Sequence, residues 1–174
     1  GEPRFAVGES TKAESVVITK SRESQNWTEI SRSKIAGGSI VPLEFIENDT
    51  KVLVLDDTES STAKIKSINI ATGEQEIIFH HPKYDPSPVI LDDEVIAVSV
   101  APGYQQVYWL DDNTEIGQIA RAAMSYFNDG NIEVANKAWI GVPSITKDRT
   151  KAIIAVGDDA SSPKYYLFDL EKGR

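Results

Sequence analysis

The run His80-His81-Pro82-Lys83-Tyr84-Asp85-Pro86 holds the densest set of chemically capable side chains in the sequence. Imidazole, phenol and carboxylate are the groups from which a metal site or an acid–base pair is assembled. The spacing works against that assembly. Neighbouring residues of a strand point to opposite faces, so the two imidazoles do not converge on one ion. Pro82, Pro86 and Pro88 stiffen the stretch into a connection between β units. The expectation is a loop in which His80, His81, Tyr84 and Asp85 line a channel or face a neighbouring domain, with no metal.

Other residue sets offer chemistry of their own. Trp27, Trp109 and Trp139, with Tyr108, Tyr165, Tyr166 and Phe168, are the types that stack on sugars in a lectin, but they sit inside strand patterns, which predicts core packing. Arg4, Arg121 and Arg149 each carry a fork that fits a peptide carboxylate, and no spacing selects among them. The stretch Asp159 to Lys164 reads as an exposed loop. The acidic pairs Asp56-Asp57, Asp92-Asp93, Asp111-Asp112 and Asp158-Asp159 read as solvated turns, because the Asp-x-Asp-x-Asp spacing and late Glu of a calcium loop are missing. With no cysteine, disulfides, thiolate zinc sites and a cysteine nucleophile are excluded. No Gly-x-Ser-x-Gly pentapeptide occurs, and His80 and His81 are the only histidines. No catalytic residue, cofactor or metal ligand is assigned.

The 174 residues carry a net charge of -9, from 27 acidic and 18 basic side chains. No Lys/Arg cluster forms the basic patch that displaces counterions from nucleic acid, so that partner class is set aside. No apolar run reaches the roughly 18 residues of a membrane-spanning helix. The opening GEPRFAVGES lacks the basic-then-apolar pattern of a secretory leader. A periplasmic and a cytoplasmic location are both compatible with this composition.

The elements that must position these residues repeat. KVLVLDDTESSTAKIKSINIATGE (51–74), EVIAVSVAPGYQQVYWLDDNTE (94–115) and KAIIAVGDDASSPKYYLFDLEKGR (151–174) share one pattern: a β-rich run, a polar loop, a second β-rich run and a turn. One such unit cannot bury its own apolar face, so the repeat predicts stacked units. Around the first copy, VPLEFI (41–46) and QEIIFH (75–80) complete four antiparallel strands, the content of one propeller blade. In AKIKSINI (63–70), Ile65 and Ile68 are flanked by Lys64, Lys66 and Asn69 as polar positions. From Lys51 to Glu94 the offset is 43 residues, within the roughly 40–50 of a blade.

The next offset, from Glu94 to Lys151, is 57 residues. Thr114 to Asn128 accounts for the excess: Ile116, Ile119, Ala120, Ala123, Met124 and Phe127 recur at helical spacing, with Thr114 as a cap and Asn128-Asp129-Gly130 as a stop. NIEVANKAW (131–139) is expected to supply the outer strand of that unit. The fold class is all-β, a partial β-propeller of about four blades with one inserted helix. The blades fall near 1–37, 38–82, 83–140 and 141–174, the last missing a strand.

The order of these motifs resembles the N-terminal propeller of the prolyl oligopeptidase family of serine peptidases, in its dipeptidyl-aminopeptidase and acylaminoacyl-peptidase branch. IIFHHPKYDPSPVILDDEVIAVSV, QQVYWLDD, a short helix, then SITKDRTKAIIAVGDDASSPKYYLFDLEKGR follow that branch's sequence of elements. AIIAVGDDASSPKYYLFDLEKGR matches its pattern "vv.vssD.dPg.YYlyD...k", and EPRFAV and Asn26-Trp27-Thr28 also fit. The resemblance implies a propeller that restricts access of a peptide substrate to an α/β-hydrolase domain and supports that domain. The hydrolase domain itself is absent from this sequence. The competing reading is a stand-alone propeller that binds a protein or a glycan. Either way, open blade edges are expected to drive self-association.

Overall fold

The computed structural model describes residues 3–20, 26–91, 94–110, 114–135, 137–158, 160–170 and 172. Asp92, Asp93, Asp111, Asp112, Asp159 and the terminal turn at Gly173-Arg174 lie outside them. The chain divides into two compact units, Gly1–Pro86 and Ser87–Arg174.

Short β-branched runs broken by polar turns fold as consecutive antiparallel hairpins. In the first unit, β1 (Phe5–Glu9), β2 (Glu14–Thr19) and β3 (Thr28–Lys34) form one sheet. A second holds β4 (Ile40–Ile46), β5 (Lys51–Asp56), β6 (Lys64–Asn69) and β7 (Gln75–His80) in chain order. Val17 of the first sheet packs with Ile40, Val52, Val54 and Ile68 of the second. Phe5 stacks on Phe45 with ring centroids 4.4 Å apart. The break between the sheets sits at Gly38, whose φ of 97° and closeness to Asp57 admit no side chain: a Cβ there would lie 2.6 Å from the Asp57 carbonyl oxygen.

In the second unit, β8 (Ser87–Leu91), β9 (Glu94–Val100), β10 (Gln105–Trp109) and β11 (Val134–Ala135) form the third sheet, with α1 (Glu115–Phe127) inserted between β10 and β11. The fourth sheet is β12 (Trp139–Ile145), β13 (Lys151–Gly157) and β14 (Lys164–Asp169). The helix begins and ends where its sequence predicts. The Thr114 hydroxyl accepts from the Gly117 N–H at 3.1 Å. Beyond the last turn Asp129 and Gly130 have φ of 54° and 86°, and the Gly130 N–H returns to the Ser125 carbonyl at 2.7 Å. Its two apolar rows serve two sheets. Ile116, Ala120 and Met124 pack with Ile96, Val107 and Ala135, while Ile119 and Ala123 pack with Ala152 and Ile154.

One strand expectation is corrected. Among the described residues of 131–139, Val134–Ala135 supplies the outer strand, opposite Gln106 and Gln105, and it is shorter than expected. Side-chain acceptors take the N–H groups that a longer strand would give to a ladder. Asn131 Oδ1 accepts from Glu133 and Val134, both at 2.9 Å. Asn128 Oδ1 accepts from Lys137 and Ala138 at 3.0 and 3.1 Å. Trp139 instead opens β12, opposite Gly157.

Candidate functional site

The His80–Asp85 stretch is a stapled loop at one end of the second sheet. The Thr62 hydroxyl donates to the His81 carbonyl at 2.9 Å, so its lone pair is what faces His80 Nε2 at 3.1 Å. That contact makes His80 the Nε2–H tautomer. The Lys83 and Tyr84 N–H groups donate to His81 Nδ1 at 3.2 and 3.1 Å, which fixes the same tautomer in His81. Asp85 Oδ1 accepts from the Ala63 N–H at 2.8 Å, and the Tyr84 ring leans on His81 with centroids 5.0 Å apart. His80, His81, Tyr84 and Asp85 are thus brought together on one loop. His81 Nδ1 and Asp85 Oδ1 hold backbone N–H groups in place, and His80 Nε2 holds the Thr62 hydroxyl. Among the described residues, no three His, Asp or Glu side chains group as a metal site.

A few residues away lies a cluster that strand alternation conceals. Lys66 and Asp56 are only 4% and 2% exposed, with Lys66 Nζ 2.5 Å from Asp56 Oδ2. Lys66 was expected as a polar flank of its strand and Asp56 as part of a solvated turn; both are corrected to interior positions. The reason is partnership. Lys66 Nζ also donates to Glu59 at 2.9 Å and to Gln75 Oε1 at 3.3 Å, so each ammonium proton has an acceptor. Asp56 Oδ1 accepts from the Thr58 N–H and hydroxyl at 2.8 and 2.6 Å. Burial pushes the Asp56 carboxyl up, but hydrogen bonds from Lys66 and Thr58 outweigh it and hold the group below its ordinary value. Burial likewise pulls the Lys66 ammonium down, and Asp56 and Glu59 overcompensate and raise it. A lysine held this firmly in its charged form is no nucleophile. The cluster is a structural tie.

Each of the three arginines has neighbours of its own. Arg4 pairs with Asp49 at 2.7 Å and covers the Phe45 ring at 3.6 Å. Arg149 reaches Glu115 at 3.3 Å, and Arg121 lies 4.9 Å above the Trp109 ring. The aromatic set divides. Trp109 and Phe168 pack against the cores of the second unit, as expected. Trp27, Tyr108, Trp139, Tyr165 and Tyr166 are exposed, which corrects their expected core placement. Strand alternation shows that a residue faces one side of a sheet; it does not show whether that side is covered.

No protein-family model matches the chain, and no curated protein matches it. Among solved structures, TolB from Acinetobacter baumannii is similar to it at 15% identity, with a TM-score of 0.51 over 98% of this chain. The chain spans 39% of the length of that TolB chain. At this identity the likeness shows the fold alone: four antiparallel sheets and one helix with the architecture of a partial β-propeller.

Proposed function

We propose that this chain is the non-catalytic propeller portion of a serine peptidase similar to the prolyl oligopeptidase family. In the parent it restricts which substrates reach a hydrolase domain, and it supports that domain. The observation that carries this reading is the placement of α1 between the third and fourth strands of the third sheet. The family's order of strand pair, helix and strand pair requires a helix at that point, and a generic propeller blade does not. The stapled His80–Asp85 loop adds a preorganised surface element, its backbone fixed by Thr62 and Ala63. In this reading that loop faces the hydrolase domain or the central channel.

The chain has no nucleophile elbow. On this reading the 174-residue chain does not cleave aminoacyl or prolyl chromogenic substrates, and the full-length gene product does. The test is to assay both, with a serine-directed phosphonate as control. Phosphonate-sensitive turnover by the short chain, or an inactive full-length product without Gly-x-Ser-x-Gly downstream, overturns it.

A further inference from the structure

We propose that the cleft bounded by the β9–β10 turn, the β11–β12 connection and the end of β13 binds a neutral saccharide, with a sugar ring stacked on Trp139. The cleft is broadly open to solvent, has a volume of about 340 Å³ and is lined by Tyr104, Gln105, Lys137, Trp139 and Asp158 together with small residues. That volume lies at the lower end of the roughly 300–1,000 Å³ of ligand pockets. Two large aromatic rings stand in it at considerable exposure, Tyr104 at 63% and Trp139 at 36%. Among the described residues, neither is a member of the two clusters that α1 forms with the sheets of this unit, and both rings remain open to solvent.

Three local devices hold the cleft in shape. Gly157 lies opposite Trp139 in the ladder, and a Cβ on it would come within 2.5 Å of the indole. The missing side chain lets the ring lie across the glycine backbone. Gly103, with φ of 131°, makes the turn that carries Tyr104. The buried Asn128 clamps the approach to Trp139. Besides the two N–H groups that its Oδ1 accepts, its Nδ2 donates to the Ala138 carbonyl at 3.0 Å and to the Met124 carbonyl at 3.2 Å. The backbone just before the indole is thereby tied to the helix end.

The chemistry of the lining selects the ligand. A pyranose offers a C–H face that packs on an aromatic ring, and a rim of hydroxyls that both donate and accept. Trp139 and Tyr104 supply the rings, Asp158 accepts, Gln105 does both, and Lys137, whose ammonium also pairs with Asp129, keeps further N–H groups to donate. Asp158 is oriented by the Ala160 N–H, which donates to its Oδ1 at 2.8 Å. The Lys137 ammonium is already paired with the Asp129 carboxylate, so among the described lining residues none offers an unpaired cation to an acidic ligand, which favours a neutral one. A proline-rich peptide fits less well. Aromatic grooves that take such peptides use a tryptophan N–H for a backbone carbonyl, and Trp139 Nε1 is turned toward Gly157, 2.7 Å from where its Cβ would stand.

The test is titration of the 174-residue chain with maltotriose, cellotriose and chitotriose through the millimolar range, read by tryptophan fluorescence and calorimetry. A saturable response to at least one is expected, weakened about tenfold or more in Trp139→Ala and in Asp158→Asn. Asp158 is exposed, so its variant keeps the question decidable should Trp139→Ala fail to fold. No saturable response to any of the three overturns the proposal. So does unchanged affinity in Asp158→Asn, and so does a response to a proline-rich peptide without one to sugars.

Discussion

The two units fill the space between their sheets in different ways. In the first, sheet meets sheet directly: Val17 packs on Val52, Val54 and Ile68, and the buried pair Asp56–Lys66 lies on the same second sheet. In the second, a helix is wedged between the sheets and gives each of them one apolar row. A wedge works through many additive apolar contacts of modest individual strength. An ion pair concentrates its effect in two atoms that must both be present. The first arrangement fails abruptly when one partner is lost, and the second fails in proportion to what is removed.

The largest effect is expected from removing the wedge. A deletion joining Asp112 to Gly130 strips Ile116, Ile119 and Met124 from the interior, along with Ala120 and Ala123. At about 1.5–3 kcal/mol for each large buried side chain, the loss is about 5 kcal/mol or more, enough to unfold the second unit. Thermal melts and binding of a hydrophobic dye would show it. A deletion variant that melts like the parent would mean that the two sheets close on each other without the helix.

Next in size is the ion pair. Lys66→Ala leaves the Asp56 carboxylate buried without its counter-charge, and a cost of about 3–5 kcal/mol is expected by urea denaturation. Replacing both partners by apolar residues, Lys66→Met with Asp56→Leu, should be far milder than the single change, within about 1 kcal/mol of the parent or above it. A single variant as stable as the double one would mean that water reaches Asp56.

These two features also differ in how far the sequence reveals them. The helix was legible to the residue. Its apolar spacing is periodic, Thr114 is a strong cap, and Asn128-Asp129-Gly130 is a strong stop, all of them local signals. Most strands were legible for the same reason, the short β11 being the exception, and the number of sheets follows from their spacing. The ion pair was not, because a lysine in an alternating strand looks alike whether its side is open or covered. Val54 stands opposite Lys66, and a bulge between Ile65 and Lys66 shifts the pairing with β7, but neither is local to the strand. The exposure of Trp139 was hidden likewise, since Gly157 lies 18 positions away in sequence. A signal was available in both cases: a glycine at the end of a β-rich run, and an acidic residue closing the strand beside the lysine's.

Acid should remove what the charged pair contributes without affecting the wedge. The folded-state value of Asp56 is lowered, so the unfolded chain binds the extra proton first as pH falls. The stability it contributes is complete above about 3.9, the value of an unperturbed aspartate, and is lost as pH drops through the lower folded value. For Lys66 the sign is opposite: its contribution is complete below the unperturbed lysine value and is lost as pH rises through the raised one. Denaturation of the parent and of the Lys66→Met, Asp56→Leu double variant should therefore give curves whose difference changes only at the acid and alkaline ends. A difference that changes around neutrality would point to another group.

The smallest effect separates the buried and exposed arms of the same lysine. Glu59 lies 2.9 Å from Lys66 Nζ but is 62% exposed, whereas Asp56 is sealed. The hydrogen bond and charge of Lys66 hold the Glu59 carboxyl below its ordinary value, yet solvent screens most of that interaction at an exposed group. Glu59→Gln keeps a side-chain oxygen that can still accept from Lys66 and removes only the charge. A loss of less than about 1 kcal/mol is expected, shrinking further at high salt. Lys66→Ala should respond little to salt, because the charge it strands is buried. Equal and salt-insensitive losses in both variants would show that Glu59 closes over Lys66 in solution, and the cluster would then be a sealed triad instead of a buried pair with an exposed neighbour.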